Sequence, residues 1–89
     1  MTPQERFDYA NSYRVGFSMF KDMELTQIAA VGKDGDERGL LYIDWLFRQD
    51  WLNKACRGAV DAFVNWEPVT RDLEAAVQRD AIKREGKAS

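Results

Sequence analysis

The chain of 89 residues contains no histidine and a single cysteine, Cys56. Histidine is the commonest general base and the commonest metal ligand, so its absence removes the usual routes to acid–base and metal chemistry. One cysteine cannot form an internal disulfide, and it cannot complete a zinc site built from cysteine and histidine. We therefore expect no metal and no cofactor, and a reducing, cytoplasmic environment.

The chain also lacks long apolar runs and an excess of positive charge. No run approaches the roughly 18 apolar residues of a membrane span, and residues 1–6 lack the charged start and apolar run of a signal peptide. The net charge is −2 and the pI about 5.1, whereas nucleic-acid binders are usually basic. We expect no membrane association, and any contact with nucleic acid needs a local basic patch.

Hydrophobic residues make up 45% of the chain and aromatic residues 12%, a composition typical of a folded domain. A chain of this length supports one modest core and no second domain. We therefore expect a single domain over residues 1–89, with a densely charged C-terminal helix at 67–85.

Helix signals recur along the sequence. Residues 2–5 match a capping box with Pro3 at the first helical position, which predicts a short helix to about Asn11. Thr26 is a candidate cap for a short helix that stops at Gly32. Further helices are predicted over 36–49, from about residue 51, and from about residue 68. The helix from 51 has an apolar stripe at helical spacing, formed by Leu52, Ala55, Cys56, Ala59 and Phe63.

A two-residue alternation of apolar and polar residues over 13–19 predicts a half-buried strand. A tight turn at 20–22 and a return strand at 23–25 would complete a hairpin. An isolated hairpin is marginal in water, so it must lie on the helices. The predicted fold class is α+β: a short β-hairpin packed against four to five short helices, with helix predominating.

Two stretches carry a resemblance to a known family. The first stretch has an aromatic and basic turn followed by apolar positions, and its matching residues are Phe17, Phe20, Lys21, Leu25, Ile28 and Ala29. The second stretch has an aromatic pattern, and its matching residues are Tyr42, Trp45 and Leu46. The region of about 15–65 resembles the small domain that follows the nuclease in exodeoxyribonuclease X-like proteins. That domain also occurs alone in a family described as quorum-sensing-regulated virulence factors.

The sequence departs from this family in the basic turn. Ser18, Met19 and Asp22 stand where the family has Gly, Lys and Gly, so Lys21 alone remains of the turn's phosphate-binding pattern. The resemblance implies a non-catalytic accessory domain in a nucleic-acid-processing context. Because the nuclease chemistry belongs to a separate domain, we expect that this chain is not an enzyme.

Basic and aromatic residues supply the candidate binding sites. Lys21 at the hairpin tip is the leading candidate for a phosphate contact and Arg14 the second, followed by Arg48, Lys54 and Arg57. An ion pair with Asp61 four residues on would also explain Arg57. Tryptophans can stack on single-stranded bases. We expect Trp45 in the core, whereas Trp51 and Trp66 remain open between core and binding platform.

Two further features have plain structural explanations. Asp34, Asp36 and Glu37 lack the ligand spacing of a calcium loop, so we expect a solvated loop with a helix cap. Cys56 lies on the apolar stripe without an evident base or cation, so we expect a buried, inert thiol.

Two functions follow from these observations. The first is a binding module that contacts a protein partner, or a second copy of itself, in a nucleic-acid-processing context. The second is a nucleic-acid-binding accessory domain that uses a basic patch near the hairpin tip. The acidic pI and the reduced basic turn favour the first. A carboxylate-only enzyme is a distant third, since Asp44, Asp50 and Asp61 share no motif.

Overall fold

Five helices make up the fold of the described residues, which are 2–17, 19–33 and 35–88 in a computed structural model. In chain order they are α1 (Pro3–Asn11), α2 (Leu25–Ala30), α3 (Arg38–Phe47), α4 (Lys54–Val64) and α5 (Glu67–Ala88). The described part of the chain contains no strand, so the predicted α+β class is wrong and the fold is all-helical. Within the described ranges, no helix is both long and apolar enough to cross a membrane.

The predicted hairpin is a loop, residues 12–24, closed by one antiparallel bridge between Arg14 and Glu24. The Val15 amide donates to the Met23 carbonyl, and the Leu25 amide donates to the Tyr13 carbonyl, both at 3.1 Å. Leu25 already begins α2, so the return segment ends before a ladder can extend. The alternating pattern reflects side chains that face the core from a loop, and not from a strand. Ser18, on the predicted strand, lies outside the described residues.

Local capping decides where several helices begin. Thr2 caps α1 as predicted, with its hydroxyl accepting from the Glu5 amide. α2 begins before Thr26, because the Glu24 amide donates to the Gln27 side chain in a capping box. α4 begins at Lys54 and not near residue 51, because the Asn53 side chain accepts from the Cys56 amide at 2.8 Å.

The core lies where α3 and α4 meet the other helices. α1 packs mainly on α4, α2 packs on α3, and α5 lies across both α3 and α4. The largest fully buried side chains come from the 12–24 loop, α2, α3 and α4, and are Val15, Leu25, Ile28, Ile43, Leu46, Cys56, Val60 and Phe63. Burying one such aliphatic or aromatic side chain contributes about 1.5–3 kcal/mol. The stripe predicted on α4 is confirmed at Cys56, Ala59 and Phe63, but Ala55 is exposed.

A glycine allows α3 to approach α2 closely. Gly39 is buried in the first turn of α3, and its amide donates to the Val31 carbonyl at 3.1 Å. A Cβ at this position would overlap the backbone carbonyl of Ile28 at the end of α2. The α2–α3 contact therefore requires a residue without a side chain.

An ion pair joins α5 to the start of α3. Glu37 has a left-handed backbone with φ of 56°, and only 7% of its side chain is exposed. Its carboxylate accepts from the Arg79 Nε at 2.8 Å and from the Arg79 Nη2. The hydrogen bond from Arg79 lowers the pKa of the Glu37 carboxyl below its ordinary value, and the charge of Arg79 adds to this effect. The ion pair thus connects the middle of α5 to the turn that starts α3.

Replacing Gly39 with Ala should destabilise the protein by about 1–3 kcal/mol, because backbone atoms of α2 must move to accept the methyl group. Gly58→Ala is the matched control, since Gly58 is exposed in the interior of α4 with open space around the Cβ position. It should stabilise the protein by about 0.5–1 kcal/mol. Urea unfolding of both variants measures the difference. Equal effects of the two substitutions would contradict the close α2–α3 approach.

Acid should remove the stabilisation that comes from Glu37. Because the pKa of Glu37 is lowered in the folded state, its contribution is fully present above the ordinary carboxyl pKa and is lost as the pH falls through the lowered value. Glu37→Gln should therefore lower the free energy of unfolding near neutral pH and reduce its acid dependence. Glu67→Gln, in an exposed pair with Arg71, is the control and should change little. A parallel pH profile of wild type and Glu37→Gln would disprove this role.

Candidate binding surface

Aromatic rings from three separate segments meet on one side of the molecule. Successive ring centroids are 5.3 Å apart for Phe17–Trp51, 6.1 Å for Trp51–Trp45, 5.7 Å for Trp45–Tyr42 and 4.8 Å for Tyr42–Phe20. These distances lie in the range of favourable aromatic pairs. We call these five side chains the aromatic surface. It brings together the 12–24 loop, α3 and the 48–53 connection.

The helical spacing of α3 places two of these rings side by side. Ile43 and Leu46 are fully buried, and Tyr42 and Trp45, three residues apart, lie on the adjoining flank of the helix. Tyr42 is half-buried, whereas Trp45 is 45% exposed. The expectation that Trp45 belongs to the core is therefore wrong, because α3 carries more apolar side chains than its buried side accommodates.

A glutamine sets the position of Trp51 next to Trp45. The Gln49 side-chain amide donates to the Trp45 carbonyl at 2.8 Å, and the Trp51 indole N–H donates to the Gln49 side-chain oxygen at 3.1 Å. Trp51 is nevertheless 55% exposed. The sequence left open whether Trp51 belongs to the core or to a binding surface. The structure places it on the surface, with its ring held in orientation but largely in contact with solvent.

The aromatic surface extends from the core outwards. Phe20 is buried and Phe17 is half-buried. Met19, between them in the loop, is 82% exposed. Isolated apolar side chains on a surface are common, but several adjoining ones mark an interaction site. Trp45 and Trp51 are two exposed apolar side chains in direct contact, and they meet this criterion.

Trp66 has a structural role elsewhere. Its ring stacks on Phe7 with centroids 4.8 Å apart, and Phe7 stacks in turn on Phe63 at 5.8 Å. Trp66 is half-buried and contributes to the packing of α1 against the end of α4. Trp66 does not belong to the aromatic surface. Of the two roles that the sequence left open for Trp66, the structure supports the role in core packing.

The predicted basic residues do not form a free cationic patch. Arg14 pairs with Glu24 at 3.5 Å and donates to the Asp22 carbonyl. Arg48 pairs with Asp44 at 3.0 Å. Both arginines are thus neutralised by a carboxylate of the same chain, although exposed pairs of this kind contribute little to stability.

Arg57 is also engaged within the chain. It donates to the Phe47 carbonyl and pairs with Asp61 at 3.6 Å, which confirms the predicted i,i+4 ion pair. Lys21 and Lys54 are exposed and have no ion-pair partner among the described residues. Lys21 lies next to Phe20 in the loop, and Lys54 is the first residue of α4. Two lysines on different elements are all that remains of the predicted phosphate-binding set.

Asp36 and Cys56 are the remaining candidates for chemistry in the sequence. Asp36 accepts from the Arg38 amide at 3.2 Å, but the N-cap residue of α3 is Glu37, so the prediction of Asp36 as the cap is wrong. Asp34 lies outside the described residues. The described residues hold no cluster of three or more potential metal ligands. Cys56 is buried as predicted, and burial raises the pKa of its thiol. A raised pKa keeps the thiol protonated at neutral pH, which disfavours nucleophilic chemistry.

Sequence reasoning did not predict that Phe17 and Tyr42 meet Trp45 and Trp51 on one surface. The signal that could have revealed this surface lies in residues 40–47, where Asp44 is the only polar residue. A helix that is apolar on nearly every side in a small domain cannot be covered completely. Some of its rings must therefore face solvent or a partner.

Comparison with protein-family models, with curated proteins and with solved structures finds no match for this chain. The resemblance to the exodeoxyribonuclease X-like domain therefore stays a prediction from the sequence.

Proposed function

We propose that this chain is a small, non-catalytic, cytoplasmic binding module that contacts a protein partner through the aromatic surface. The observation that carries the proposal is the joint exposure of Trp45 and Trp51 on a surface that the core supports from behind. The family resemblance of residues 15–65 is the reason to seek the partner among proteins that process nucleic acids.

Exposed tryptophans of this kind are typical of binding hot spots. Tryptophan is enriched in the energetic centre of protein interfaces, where it fills a pocket of the partner. Ordering a flexible side chain on binding costs about 0.5–1.5 kcal/mol. The Trp51 ring is held by its hydrogen bond to Gln49, and the Trp45 ring is held by its contacts with Trp51 and Tyr42. The surface therefore loses little conformational entropy when a partner covers it.

The electrostatics favour a protein over a nucleic acid. Phosphate binding depends on cations that release counterions from the backbone. Here Arg14 and Arg48 are paired with carboxylates, and the net charge is −2. Stacking of bases on Trp45 or Trp51 needs no charge in itself. Binding of single-stranded nucleic acid is therefore the alternative function that the experiment below must distinguish.

Capture experiments with matched surface variants test the proposal. Wild type, Trp51→Ala and Lys54→Ala would be immobilised and exposed to nuclease-treated extract of the cells that produce the protein. We expect a defined protein to bind wild type with an affinity reduced by Trp51→Ala. The loss should be about 2 kcal/mol or more, roughly thirty-fold in Kd, because a hot-spot ring is removed.

Lys54→Ala is the surface control and should leave capture unchanged, provided that circular dichroism shows all variants folded. Light scattering of the isolated protein tests for a second copy as the partner. Capture that is equal for wild type and Trp51→Ala would overturn the proposal. Salt-sensitive binding of labelled single-stranded oligonucleotides that Trp51→Ala abolishes would replace it with the nucleic-acid function.

A further inference from the structure

We propose that a cleft at the meeting point of the five helices binds a small zwitterion with an apolar body, namely an aromatic or large aliphatic α-amino acid. The cleft has a volume of about 280 Å³, and residues of all five helices line it. Among these lining residues, none belongs to the aromatic surface. The inference therefore concerns a second site and does not rest on the proposed function.

The apolar part of the lining includes two stacked rings. Phe7 and Phe63 stack with centroids 5.8 Å apart and an interplanar angle of 16°. Leu40 and Val69 line the same cleft from α3 and α5. Sites for small molecules are typically concave and mostly apolar, with a few polar groups that orient the ligand. The two rings and the two aliphatic side chains offer such a surface to an apolar ligand body.

The charged part of the lining leaves two opposite charges without a partner. Four charged side chains of the described residues line the cleft, and Glu37 and Arg79 among them form the ion pair described above. Lys33 and Asp72 are exposed, have no ion-pair partner among the described residues and do not pair with each other. A ligand that carries both an ammonium and a carboxylate group can pair with both side chains at once.

This charge balance selects a zwitterion over a simple anion or cation. An anion attracted by Lys33 is repelled by Asp72, and a cation attracted by Asp72 is repelled by Lys33. A zwitterion gains both attractions and meets neither repulsion if its carboxylate lies towards the lysine. Asn11 and Thr26 add an amide and a hydroxyl group to the same cleft, which can complete the hydrogen bonds of the two ligand groups.

The ion pair of Glu37 and Arg79 keeps the two unpaired charges at the same cleft. Lys33 and Glu37 belong to one turn, which the hydrogen bond from the Glu37 amide to the Gly32 carbonyl closes at 2.8 Å. Asp72 and Arg79 are seven residues apart on α5 and thus share a helix face. The ion pair therefore holds the turn that carries Lys33 against the face of α5 that carries Asp72.

The backbone of Glu37 is a further indication of a ligand site. Its φ of 56° lies in the left-handed region, which is sparsely populated by residues other than glycine. Conformations of this kind cost free energy and are concentrated at functional sites, including ligand-binding sites. A buried ion pair is in itself weak evidence of stabilisation. Both features are consistent with a turn whose geometry serves the cleft.

The volume of the cleft limits the ligand to the size of one amino acid. Sites for drug-sized ligands have volumes of roughly 300–1,000 Å³, so this cleft is just below that range. Phenylalanine combines the two charges with a flat ring that can lie against Phe7 and Phe63. Glycine carries the same charges without an apolar body and serves as the control ligand.

Calorimetric titration of the full chain at neutral pH with three related ligands tests the inference. Phenylalanine carries both charges, phenylalanine amide keeps only the ammonium group, and N-acetylphenylalanine keeps only the carboxylate. We expect phenylalanine to bind with a Kd on the order of 100 micromolar. The two derivatives should bind at least about five-fold more weakly, because each loses one attraction and retains one repulsion. Glycine should show no measurable binding.

Two variants of the protein assign each charge to its side chain. Lys33→Gln should weaken phenylalanine about five-fold and abolish its advantage over the amide. Asp72→Asn should weaken phenylalanine similarly and abolish its advantage over the N-acetyl derivative. Lys54→Gln and Glu74→Gln remove exposed charges that do not line the cleft, and should keep the wild-type Kd. Circular dichroism checks that all four variants are folded.

The outcomes separate this site from the aromatic surface. Equal binding of the three ligands, or no binding of phenylalanine at ten millimolar, would overturn the inference. Phenylalanine binding that Trp51→Ala abolishes and Lys33→Gln leaves intact would also overturn it, since the ligand would then lie on the aromatic surface. Selective phenylalanine binding that depends on Lys33 and Asp72 would support the cleft even if capture of a protein partner proves independent of Trp51.

Discussion

The rest of the structure depends on α3, which carries more apolar side chains than the neighbouring helices can cover. Between residues 40 and 47 only Asp44 is polar, and a chain of 89 residues is too small to surround such a helix. The neighbouring helices cover the side formed by Leu40, Ile43 and Leu46. Trp45 remains outside, where rings from two other segments join it. The core and the aromatic surface are therefore two sides of the same helix.

Three contacts fix α3 and thereby the rings that it carries. Gly39 allows its first turn to lie against α2. The ion pair of Glu37 with Arg79 holds the turn before α3 against α5. Beyond the other end, the hydrogen bonds of Gln49 set the position of Trp51. A surface with this support is formed before a partner arrives, which is why we assign it a role in binding.

Local signals in the sequence identified the helices. The missing hairpin and the exposure of the tryptophans depend on packing between distant parts of the chain, which local signals do not show. Thr2 and the apolar stripe around Ala59 predict α1 and most of α4, because capping and helical spacing act within a few residues. The alternation through Val15 suggested a strand, but the early start of α2 limits pairing to one bridge. The exposure of Trp45 depends on which side of an apolar helix its neighbours cover, and this information is spread over the whole chain.

The exposure of Trp45 and Trp51 is the central claim, and collisional quenching of tryptophan fluorescence tests it most directly. A Trp66→Phe variant reports on Trp45 and Trp51, and a Trp45→Phe, Trp51→Phe double variant reports on Trp66. We predict that acrylamide quenches the first variant clearly more strongly than the second, since Trp66 is half-buried and stacked on Phe7. Equal quenching, or stronger quenching of Trp66, would contradict the account of an exposed aromatic surface built on α3.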